Sequence, residues 1–151
     1  MARRTHRASG LAGAVLLAGC TLLGGGPDHS FANGPAVVRE RSILPACGAE
    51  TVHDARTEAN VAGRRCLWTA YQDHQPAEFI TTQWTIEGDP ITSIYRVLPG
   101  GAVEVFIDST QDVWSAKTWL HLACPDLALI DGAAGQPAFG PGERCIETTI
   151  R

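Results

Sequence analysis

Cysteines, histidines, carboxylates and hydroxyls are the side chains that do chemistry, and in this chain each set fails a spacing test. The five cysteines, Cys20, Cys47, Cys66, Cys124 and Cys145, contain no C-x-x-C pair, so a four-thiolate zinc site is not expected. His53, His74 and His121 fall in separate segments, and no two stand four residues apart as a helical metal site requires. Oxygen ligands are densest at Glu87 and Asp89 around Gly88, and at Asp108, Ser109, Thr110 and Asp112. Hard oxygens suit calcium, but an EF-hand loop starting at Asp108 would need Gly at its sixth position and an acid at its twelfth. Val113 and Trp119 stand there instead, so these residues are expected to be turn formers that bond to their own backbone. Ser93, Ser109 and Ser115 lie in no G-x-S-x-G elbow. No catalytic residue, metal ligand or cofactor site is assigned.

The aromatic residues remain. Four tryptophans, Trp68, Trp84, Trp114 and Trp119, exceed what the core of a small domain needs. Trp114 follows Asp112 outside any strand alternation and is the candidate exposed anchor. Trp119 and His121 share one strand face and could form a groove. Trp114, Trp119 and His121 are therefore the candidate binding residues.

The N-terminus reads MARRTHRASGLAGAVLLAGC: a basic head with Arg3, Arg4 and Arg7, then an apolar run from Leu11 to Ala18. These are the parts of a secretory signal peptide, and the run is too short to span a bilayer permanently. Its last four residues, Leu17-Ala18-Gly19-Cys20, resemble the lipobox of bacterial lipoproteins. The resemblance implies cleavage before Cys20, a diacylglyceryl group on its thiol, and an acyl chain such as palmitate on the new amine. Two or more acyl chains give stable anchoring where one does not. The expected division is a signal peptide over 1–19, a lipidated Cys20 and flexible tether over 20–44, and a single α+β domain over 45–151. Loss of the three arginines leaves nine basic residues against sixteen acidic ones, a charge of −7. Such a surface repels nucleic acid, so no nucleic-acid partner is expected. Hydrophobic residues at 44% also exclude a disordered tail.

The stretch 21–36 has three consecutive glycines, Pro27, Gly34 and Pro35, and reads as tether. A short strand is expected over Ala36–Leu44, ended by Pro45. Ala55, Ala59, Ala62, Cys66 and Ala70 draw one stripe on a helix from Ala55 to His74, with Arg64 and Arg65 off it and facing solvent. From Glu78 the period changes to two. Runs over 78–86, 91–98, 102–108 and 118–124 are separated by Gly/Pro turns. Residues 131–142 read as a loop, and 143–151 as a last strand. The expected fold is α+β, one helix packed on a four- or five-stranded antiparallel meander and stapled by disulfides.

With Cys20 taken by lipid, four cysteines remain in an exported chain, where disulfides form and persist. Of the three connectivities, Cys47–Cys66 and Cys124–Cys145 join neighbours in this order of elements. The segments CLWTAYQ, EGDPITSIYRVLPGG and VEVFIDSTQD also resemble a family of small actinobacterial extracytoplasmic proteins of unassigned function, which implies no active site. The expected function is that of a binding or interaction module, held on the outer side of the cell membrane by its lipid. An envelope protein or a small ligand would be its partner. An inhibitor of a secreted enzyme or a structural envelope protein is the alternative, and a small hydrolase using the acidic turns a lesser one.

Overall fold

The computed structural model describes residues 31–54, 57–131, 137–142 and 144–151. The proposed signal peptide and Cys20 lie outside the described residues. A short helix α1 (Ala36–Arg39) is followed by β1 (Ala46–Val52), α2 (Val61–Gln72), β2 (Ala77–Trp84), β3 (Pro90–Val97), β4 (Val103–Asp108) and β5 (Trp119–Cys124). Then come β6 (Leu127–Asp131), β7 (Pro137–Pro141) and β8 (Ile146–Ile150). Six strands form one sheet in the order β1-β2-β3-β4-β5-β8, and β6 and β7 form a separate two-stranded ribbon. The fold is α+β.

The sheet is larger than a meander of four or five strands, and it is mixed. β2 to β5 run antiparallel in sequence, and β8 closes against β5. β1 pairs parallel with β2, which requires a crossover, and α2 supplies it. The β1 ladder slips between Ala46 and Gly48, where Gly48 takes φ +101°, a region glycine enters without steric cost. The expected loop over 131–142 instead contributes β7, whose Pro137 and Pro141 stand at its two ends.

One face of the sheet packs under α2. Phe79, Tyr95, Val105 and Leu122 lie side by side in register, next to Ala77, Val97, Val103 and Cys124. Leu67 enters this layer and is fully buried. The buried stripe of α2 is Gly63 and Leu67, with Ala70 and Tyr71 partly covered, not the expected alanine stripe: Ala62 is exposed. The helix is also shorter, beginning at Val61 behind the Asn60 cap, whose side chain accepts from Gly63 N. A Cβ at Gly63 would fall 2.6 Å from Phe79 and 2.7 Å from Cys47 O, so only glycine lets the helix approach this closely. Arg64 is not solvated as expected; it pairs with Glu50 at 2.7 Å, both side chains largely buried. Cys47–Cys66 ties β1 to α2, and Cys124–Cys145 ties β5 to the start of β8. Both are the expected pairs.

The other face is covered by residues 31–42, which composition assigns to a tether or a strand. No strand forms at 36–44. Pro35 and Ala36 accept backbone bonds that begin α1, and Val38 is fully buried against Ile80, Ile94, Phe106 and Trp119. Phe31 meets Trp119 edge-on at 5.8 Å, and Arg41 lies over the Phe31 ring. A segment with two anchors this apolar gains more from burial than its turn-rich neighbours cost in order.

Candidate functional site

Trp84, the 85–89 turn, Asp108, the 109–118 loop and Trp119 all lie at one end of the sheet, because Trp84 pairs with Pro90, Thr92 with Asp108, and Asp108 with Trp119. The turn closes through Gly88 N to Thr85 O and Asp89 N to Thr85 Oγ1, with Gly88 at φ +91°. The loop is pinned by its own polar side chains. Ser109 donates to Thr118 O at 2.9 Å, Ser115 to Ser109 O at 2.9 Å, and Asp112 accepts from Trp114 N at 2.9 Å. Asp108 accepts from the backbone and hydroxyl of Thr110. One bond joins the two segments: Val113 N donates to Asp89 at 3.0 Å.

These carboxylates therefore cap backbone donors, the turn chemistry expected of them. Among the described residues no group of three His, Cys, Asp or Glu is placed to hold a metal ion. Asp89 reaches the loop through the backbone of Val113, the residue after Asp112.

The same capping leaves large apolar side chains in water. Trp114 is 78% exposed, Val113 56%, and Ile86 fully exposed. Trp84 is partly exposed beside them and stacks on His53 at 4.8 Å. Isolated exposed apolar residues are ordinary; here three of them stand on two turns that one hydrogen bond holds together.

Trp119 and His121 take other roles. Trp119 is 6% exposed and belongs to the core under Phe31; it reaches solvent as one wall of a cavity of about 510 Å³ shared with Asp108 and Thr110. His121 stacks on Phe106 at 4.7 Å and its Nε2 lies 3.1 Å from Glu104. It borders a separate shallow cavity of about 400 Å³ with Leu98, Ala123, Arg144 and Ile146, toward the opposite end of the sheet. The three candidate residues do not form one groove. Of the three, only Trp114 is mostly exposed; Trp119 and His121 lie on the face that residues 31–42 cover.

His121 also ends a line of charges that the sequence reading did not find. Arg41 makes two hydrogen bonds to Glu78, Arg96 lies at ion-pair distance from Glu78 and pairs with Glu104, and Glu104 holds His121. Arg96 is 2% exposed and also donates to Ser42 O. The signal lay in Glu78, Arg96 and Glu104, whose positions become cross-strand neighbours once the register is known. Alternating charges at such contact neutralise one another, so the line works as a clamp holding residues 41–42 to the sheet. Ile86 was missed because a lone aliphatic residue beside a turn carries no pattern of its own.

Tyr95 lies in the layer under α2. Burial pushes its hydroxyl above the usual tyrosine value, opposed by a hydrogen bond with Ser93. It is remote from the tip and serves packing. No helix among the described residues is long and apolar enough to cross a membrane. No known family model matches this chain, and neither the curated proteins nor the solved structures contain a significant match to it.

Proposed function

We propose that this chain is a lipid-anchored extracytoplasmic binding module whose interaction surface is the tip formed by Ile86, Val113 and Trp114. One observation carries the interaction surface: Trp114 is mostly exposed although its loop is closed by side-chain and backbone hydrogen bonds. An ordered loop that holds an indole in water is organised for a contact outside the molecule. The anchor rests on Leu17-Ala18-Gly19-Cys20 and its flanks, and the two disulfides are compatible with an oxidising compartment.

Two measurements test this. In a bacterial host the wild-type chain should incorporate labelled palmitate and the Cys20→Ala chain should not; equal labelling removes the anchor. The unacylated Cys20→Ser chain should sediment with isolated cell envelope, and Trp114→Ala should weaken that binding by about 2 kcal/mol at an unchanged melting temperature. Unchanged sedimentation would show that the tip is not the binding surface.

A further inference from the structure

We propose that the partner of this tip is the bilayer interface itself: Ile86, Val113 and Trp114 rest among zwitterionic headgroups beside the lipid anchor. The proposal deepens the anchored-module reading and rests on it. Three observations carry it.

The first is where the chain enters the domain. The described chain starts at Phe31, packed on Trp119, the first residue of β5, at the same end of the sheet as the exposed patch. Eleven residue steps separate Cys20 from Phe31. They reach at most about 40 Å. That reach exceeds the roughly 26 Å of an eight-residue strand, so an acyl group on Cys20 brings the domain within reach of the lipid and leaves the choice of facing end to the patch.

The second is the chemistry of the patch. An indole with two aliphatic side chains combines apolar bulk with one N–H donor, which suits the boundary between acyl chains and water. The Asp89–Val113 bond holds the two turns that carry these side chains next to each other, so both turns reach a surface as one unit. Such a patch is small, but tethering raises its local concentration and lets a weak contact fix the attitude of the domain.

The third is charge. The 85–89 turn and the 109–118 loop hold Glu87, Asp89 and Asp112 against Lys117 as their one cation. A net negative rim is repelled by anionic lipid, so the bilayer it can approach is a zwitterionic one.

The test uses the acylated full-length protein reconstituted into phosphatidylcholine vesicles carrying acyl chains brominated near the headgroup. Tryptophan emission should be partly quenched, and Trp114→Phe should remove most of that quenching without changing the melting temperature. Quenching should fall at least twofold when a third of the lipid is phosphatidylglycerol at low salt. A Trp114 that ignores brominated lipid yet is quenched by aqueous acrylamide overturns the proposal. So does a Trp114 shielded in native envelope but not in pure lipid vesicles, which would assign the tip to an envelope protein and leave it an interaction surface. If the chain takes up no acyl group, the anchor has failed, and the Cys20→Ser chain decides docking alone. Partition into phosphatidylcholine vesicles that Ile86→Asp reduces at least tenfold supports the proposal, and absence of partition overturns it.

Discussion

The two faces of the six-stranded sheet are closed by different physics. Under α2 the rows are aliphatic and aromatic, the helix is drawn in at Gly63, and a disulfide fixes it. On the other side the cover is the short segment 31–42, held by Val38, by Phe31 on Trp119, and by the charge line through Arg96. The first face depends on volume. The second depends on charge balance, since a buried Arg96 between two carboxylates is tolerable only while all three charges are present. A helix can be clamped by shape alone because it repeats an apolar stripe. A segment with a single helical turn has no stripe and needs specific polar contacts to find its place.

The sharpest way to break this comparison is to change charge without volume. Arg96→Met should cost about 4 kcal/mol in urea unfolding, because Glu104 loses its guanidinium partner and Glu78 is left with Arg41 alone. Adding Glu78→Gln and Glu104→Gln should restore a large part of that loss. If the triple variant is no better than the single one, volume governs this face too. On the opposite face, Leu67→Ala removes a fully buried side chain and should cost about 3 kcal/mol. Gly63→Ala should cost about 2 kcal/mol through overpacking against Phe79. An unchanged midpoint for Gly63→Ala would mean that α2 shifts freely across the sheet.

The smallest effect is on pH. Tyr95 in the folded chain holds its proton more tightly than in the unfolded chain, because burial disfavours the phenolate. Its contribution is fully present below the unfolded tyrosine value of about 10 and is lost as pH rises toward the higher folded value. Tyr95→Phe should remove part of the alkaline fall in stability above about pH 10. An identical slope in both chains would assign the fall elsewhere.

The central strands were legible because each carries a period of two, and Gly/Pro turns separate β2, β3 and β4. β1 was not. Its run ACGAETV has a glycine bulge and few β-branched residues, and a parallel pair leaves no hairpin turn to announce it. The stripe on α2 was misplaced because counting apolar residues ignores Gly63, whose value lies in having no side chain. Segment 31–42 was hidden by composition: Phe31 and Val38 sit among Asn33, Gly34 and Pro35, and four helical residues are too few to show a period. Trp114 stood out as a break in strand alternation. The link between its loop and the 85–89 turn did not, because the bond from Val113 to Asp89 spans 24 residues.

The two disulfides share a property that pairing alone does not convey. The sheet has two outer strands, β1 and β8, and each is fastened by one cysteine pair, Cys47–Cys66 and Cys124–Cys145. Outer strands present unpaired backbone groups that template pairing between molecules. A chain kept reduced would therefore loosen at both borders of the sheet together. Made under reducing conditions it should accumulate as aggregate, and oxidised it should stay dispersed. The thiol state should therefore set how readily these two borders pair with another molecule.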